Sequence, residues 1–131
     1  MTTTTPFVGL EGQQFMNLIT YRRTGEAMVT PVWFAQDGDM LYVMTTSTAG
    51  KVKRLRNNPR VQVGPSDRAG KPLGPTVWAA GRVLEGEEAK KADALLSKKY
   101  GLMKKMFDAA GSLRGSGRAF LAFGPTADVQ P

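Results

Sequence analysis

The spacing of hydrophobic and polar positions changes repeatedly along the chain, and each change predicts an element. Phe15 to Tyr21, FMNLITY, is rich in aromatic and aliphatic residues and predicts a first strand. Arg22-Arg23-Thr24-Gly25-Glu26 predicts a hairpin turn in which Gly25 is free to take positive φ. Ala27 to Ala35, AMVTPVWFA, predicts a second strand. Pro31 puts that strand locally at an edge or a bulge, because proline cannot donate to a ladder. Gln36-Asp37-Gly38-Asp39 signals a turn, and Met40 to Thr46 returns as a third strand. These three strands are expected to form an antiparallel meander.

The period then shifts. Ser47 to Gly50 is a small polar turn, and Lys51 to Asn57 predicts a short helix stopped by Asn58-Pro59. Val52 and Leu55, three apart, face inward, which leaves Lys51, Lys53, Arg54 and Arg56 around the remaining surface. Arg60 to Gly64 alternates as a fourth strand, and Pro65 to Pro75 has the composition of a loop. Thr76 to Leu84 predicts a fifth strand, with Gly81 marking a bend or a close approach. Glu85 to Tyr100 predicts a helix with an inward stripe of Ala89, Ala92, Leu96 and Tyr100. Its acids at Glu87 and Glu88 and bases at Lys98 and Lys99 suit the helix dipole. A shorter helix is expected from Leu102 to Ala110, a glycine-rich loop from Gly111 to Gly117, and a last strand from Ala119 to Pro125. Phe7 to Gln14 reads as a turn or short helix, and residues 1–6 as a flexible tail. About six strands and two or three helices predict one α+β, mainly β domain over residues 1–131. The short turns favour an antiparallel barrel or sandwich.

Composition narrows the chemistry. The chain has no histidine and no cysteine. That excludes thiol nucleophiles, Ser–His triads, ordinary zinc sites and histidine acid–base catalysis, so no metal site is expected. An enzyme built this way takes its chemistry from a cofactor or works with Lys, Tyr, Ser, Thr and carboxylates. A net charge of +7 favours an anionic partner: a phosphorylated cofactor, a polycarboxylate or nucleic acid. No apolar run reaches membrane-spanning length, and MTTTTPF lacks a secretory pattern, so a cytoplasmic protein without a membrane partner is expected.

The stretch from Met40 to Pro59 concentrates the candidate chemistry. A Ser47 or Thr48 cap, the unpaired N–H groups of the first helical turn, and the charges of Lys51 and Arg54 make a phosphate site. The plainer alternative is a solvated basic face. Thr30 to Trp33 and Thr45 to Ser47 would form a polar and aromatic floor beside it if their strands pair. Against that stands simple core packing of Val32 and Trp33. Gly64 to Lys71 approaches a P-loop but has one residue too many between its glycines, and Pro72 replaces the hydroxyl. Dinucleotide and RNA-binding aromatic signatures are missing, which makes nucleic acid a poor expectation.

Thr20 to Val63, with TPVWF, the threonine-rich strand end and GKVKRLRNNPRV, resembles the pyridoxamine 5′-phosphate oxidase-like split β-barrel superfamily. Within it the chain is most similar to the short flavin/deazaflavin oxidoreductases that use coenzyme F-420, and strand five with its helix continues the likeness. The resemblance implies a six-stranded split barrel with flanking helices, acting as a homodimer with cofactors in clefts between protomers. It implies that Lys51 holds the cofactor phosphate, supported by Lys53 and Arg54, with Gly50 and Val52 in the same stretch. The ring would lie along Thr30, Pro31, Val32, Trp33, Thr45, Thr46 and Ser47, and Trp78 would approach from the other subunit. FMN-using relatives often carry an arginine–lysine pair where this chain has Gly50-Lys51, which suits the deazaflavin. The leading expectation is hydride transfer from F-420 to an unsaturated small molecule. An FMN flavoprotein is the alternative, and a non-catalytic cofactor, tetrapyrrole or nucleic-acid binder is the third. No catalytic residue is assigned.

Overall fold

The computed structural model describes residues 7–46, 50–101 and 118–125. A single 3-10 turn, Val8–Leu10, precedes the sheet. The strands are β1 Phe15–Tyr21, β2 Ala27–Trp33, β3 Ala35–Asp37, β4 Met40–Thr46, β5 Arg60–Ser66, β6 Val77–Leu84 and β7 Arg118–Gly124. Helix α1 is Gly50–Asn57 and helix α2 is Gly86–Tyr100. The expected shorter helix, the glycine-rich loop, the tail, and the capping residues Ser47 and Thr48 lie outside the described residues.

All pairings are antiparallel, in the order β2-β1-β5-β6-β7-β4-β3. The two edge strands, β2 and β3, are separated in sequence by the single residue Phe34. A sheet whose edges are joined by one residue must curl until those edges meet. The result is a barrel split at Phe34, because β2 and β3 do not pair across the seam.

Two expectations are corrected here. The described residues form seven strands rather than six, because the predicted strand from Ala27 to Ala35 breaks at Phe34. The first three predicted strands are also not one meander. β2 pairs with β1, whereas β4 pairs with β3 and β7. The apolar run Val32-Trp33-Phe34-Ala35 continues through Phe34 and gives no sign of the crossing from one sheet edge to the other. The reading of Pro31 holds: β2 is an edge strand, and Pro31 lies opposite Asn17.

Alternate residues fill the barrel. Met16, Leu18, Phe34, Leu41, Val43, Val61, Val63, Leu121 and Phe123 are essentially inaccessible. Val52 and Leu55 of α1 join the same core, so the helix is fixed by its apolar pair while its basic residues stay at the rim. Each such side chain contributes about 1.5–3 kcal/mol by burial. α2 packs on the outside of the sheet through Ala92, Leu96 and Tyr100.

Candidate functional site

A cavity of about 250 Å³ opens where the curled sheet brings its β2 edge over the end of β4. Thr30, Pro31, Val32 and Trp33 of β2 line one side. Met44 and Thr45 of β4 and Lys51 of α1 line another, and Phe15, Leu96 and Tyr100 complete it. The threonine-rich strand end and the TPVW segment thus meet through barrel curvature, although their strands do not pair.

Lys51 is partly buried and its Nζ donates to Thr45 Oγ1 at 3.3 Å. Burial, and then the neighbouring Arg54, lower its pKa from the ordinary lysine value. Arg54 Nε donates to Thr20 Oγ1 at 2.7 Å. Its guanidinium also lies over Gly50, where a Cβ would come within 2.8 Å of Nη1. Glycine at that position therefore leaves room for Arg54 to fold back against the helix start.

The remaining anticipated residues are placed as follows. Val52 directs its side chain into the core. Lys53 is exposed and away from the cavity lining. Thr46 ends β4, and Ser47 lies outside the described residues. Trp78, on β6, does not line this cavity. It stacks on Tyr21 at 5.9 Å, and Arg60 lies 5.1 Å from its ring centre.

Four lining residues were not anticipated as part of a site: Phe15, Met44, Leu96 and Tyr100. Leu96 and Tyr100 carried a signal in the inward stripe of the helix, but that stripe reads equally as packing. Tyr100 stacks on Trp33 with ring centres 5.1 Å apart and planes 15° apart. Its hydroxyl accepts from the N–H of Phe34 at 2.9 Å, and the carbonyl of Gln14 lies 2.7 Å away. Burial pushes its pKa up to about 12.

These residues fit a phosphorylated planar cofactor. The wall is flat and mostly aromatic or aliphatic, with threonine hydroxyls at Thr30 and Thr45. Lys51 is the one cation among the described lining residues, and the first turn of α1 adds backbone N–H groups close by. The volume suits one ring system, near the lower end of ordinary ligand pockets of roughly 300–1,000 Å³. Among the described residues no group of three or more acidic, histidine or cysteine side chains is placed to hold a metal ion.

Comparison with known proteins agrees with this architecture. The heme storage protein HutZ from Vibrio cholerae superposes with a TM-score of 0.69 at 19% identity, over 88% of this chain and 84% of that one. A FAD-binding protein from Mesorhizobium loti gives 0.64 at 19%, over 88% and 82%. An F-420 reductase gives 0.59 at 21%, over 96% and 97%. Likeness at these identities speaks for the fold alone. No curated protein sequence matches the chain. The family model described as pyridoxamine 5′-phosphate oxidase spans residues 8–126, from the turn before β1 to just past the end of β7. With the split barrel and its cavity beside α1, that match places the chain in the pyridoxamine 5′-phosphate oxidase family.

Proposed function

We propose that this protein is an F-420-dependent oxidoreductase that reduces an unsaturated small molecule. One observation carries the reading: the Lys51 ammonium lines the same cavity as the apolar wall of Val32, Trp33 and Tyr100. That arrangement can hold a phosphate at one end and a planar ring at the other. Gly50-Lys51, in place of an arginine–lysine pair, favours the deazaflavin over FMN. A heme reading, which the name of HutZ invites, is weakened by the absence of histidine and cysteine, the usual axial ligands.

When bound, reduced F-420 supplies a hydride to one carbon of a conjugated double bond. The chain's own residues do the rest. Lys51 and α1 hold the phosphate, with Arg54 supporting the helix start. The β2 wall orients the ring and excludes water. Tyr100 keeps its proton, since its hydroxyl is held among backbone groups and burial opposes ionisation. No side chain is assigned as donor of the proton that completes reduction at the neighbouring carbon. The working unit in this reading is a cytoplasmic homodimer, with Trp78 of one subunit reaching toward the other's cofactor.

Equilibrium titration of one preparation with F-420, FMN and heme tests the assignment. F-420 should bind with quenching of its fluorescence and at least about tenfold more tightly than FMN, a difference of about 1.4 kcal/mol. Tighter FMN binding, or a yellow protein as purified, would transfer the assignment to the flavin. Preferential heme binding would remove the redox reading.

A further inference from the structure

The last turn of α2 closes over the seam of the barrel. Phe34 belongs to neither β2 nor β3, so its buried N–H and C=O have no ladder to join. Tyr100 supplies partners for them. Its hydroxyl accepts from the Phe34 N–H and has one proton to donate, to the carbonyl of Phe34 or to that of Gln14. Lys99 Nζ donates to the carbonyls of Gln13 at 2.6 Å and Phe34 at 2.9 Å. The same ammonium sits 4.1 Å from the centre of the Phe34 ring.

Sequence order gives these bonds their consequence. Gln13 and Gln14 lead directly into Phe15, the first residue of β1, and Phe34 directly follows Trp33, the last residue of β2. Phe15 and Trp33 lie opposite each other in the β1–β2 register, and both line the cavity. One helix end therefore grips two backbone segments whose adjoining residues form the cavity wall. The Tyr100 ring then packs flat on Trp33.

We infer that Lys99 and Tyr100 form a latch that positions the Phe15–Trp33 wall, and that this wall seats a flat ring. Tyr100 is a positioning residue in this scheme. The wall presents aromatic and apolar faces, while the Lys51 ammonium lines the cavity and the Lys99 ammonium lies 5.3 Å from the centre of the Tyr100 ring, so the wall itself offers a ligand ring contact rather than hydrogen bonds. The inference deepens the cofactor reading above and rests on it only for which ring is bound.

The test uses the full chain, with Trp78 retained for the titrations and replaced in a Trp78→Phe background for the emission readings alone, so that Trp33 is then the one emitting indole. Tyr100→Phe keeps the stacking ring and removes the hydroxyl. Lys99→Met removes the other half of the latch, and Lys90→Ala on the exposed face of α2 is the control. Each protein is titrated with lumichrome, a ring without a phosphate, and with inorganic phosphate and F-420. Tyr100→Phe should shift Trp33 emission and weaken lumichrome about tenfold while phosphate affinity stays unchanged. Lys99→Met should act in the same direction, and it stands as the test if Tyr100→Phe does not fold. Unchanged emission and lumichrome affinity in the latch variants would overturn the inference, as would failure of lumichrome to bind the parent. Latch-dependent lumichrome binding without F-420 preference would keep the latch and sink the F-420 assignment. F-420 preference that is indifferent to the latch would do the reverse.

Discussion

At Lys51 a charge sits where burial and a neighbouring guanidinium both oppose it. An anion in the cavity relieves both, so the residue is poised for a ligand rather than for stability. Lys51→Ala should cost a charge-assisted hydrogen bond of about 1.5–3 kcal/mol, roughly tenfold to a hundredfold in cofactor affinity. Thermal stability should barely change, and Lys90→Ala should leave affinity within about twofold. Titrations at two salt concentrations check this, since equal small losses at both lysines would mean that only the general field acts. Because the pKa of Lys51 is lowered from 10.5, its folded form binds fewer protons than its unfolded form just below that pH. Its contribution to stability therefore rises with pH through that window, while phosphate affinity falls as the ammonium is lost. Tyr100 has the opposite sign. Its pKa rises from 10.0 to about 12, so its stabilisation is complete below pH 10 and is lost as pH climbs toward 12. Denaturant unfolding across that range should show a decline in the parent that is absent in Tyr100→Phe. Parallel curves would remove the buried phenol from the account.

At the scale of elements, α1 and β6 are held together by a missing side chain. A Cβ on Gly81 would lie 2.6 Å from the Phe123 ring and 2.8 Å from Leu55 Cδ1. The Gly81 N–H also donates to Pro59 O at 2.8 Å, which ties the strand to the end of the helix that carries Lys51. Gly81→Ala should therefore destabilise by about 1–3 kcal/mol through overpacking, and it should loosen α1 as well. Chemical denaturation would measure the first effect, and weaker phosphate binding the second. A stability change under about 0.5 kcal/mol would mean the core gives way more easily than this packing implies. The sequence marked Gly81 as a bend or close approach, and the close approach is what the fold uses.

For the whole molecule, the barrel leaves two edges and some apolar surface uncovered. Val29, on the edge strand β2, is 56% exposed. A second copy is the expected cover, and a stable interface of this kind often exceeds about 2,000 Å² in total. Light scattering at micromolar concentration should give twice the 14.2 kDa chain mass. A monomer would count against both the dimer and a cofactor site shared between subunits. The net charge of +7 adds a separate expectation at this scale. F-420 with longer oligoglutamate tails should bind more tightly at low salt, an advantage that salt erases. Equal affinity across tail lengths would leave the charge without this role.

Much of the architecture was legible because it is encoded in contiguous residues. Alternation located the strands, Gly25 and Gly38 take the positive φ their turns require, and the Val52–Leu55 spacing fixed the buried side of α1. The basic cluster and the missing histidine and cysteine likewise needed no coordinates to narrow the chemistry. Strand order did not follow from pattern, since the apolar run Val32 to Ala35 passes through Phe34 from β2 into β3 while the chain changes sheet edge. Nor could the sequence assign Tyr100 to the cavity. Its stripe position says only that it is buried, whereas its hydroxyl finds Phe34, 66 residues away, only after the sheet has curled and α2 has packed across the seam. Periodicity reports which face of an element avoids water. Which distant backbone group a buried hydroxyl satisfies depends on how those faces come together, and here that was decided by the closing of the barrel.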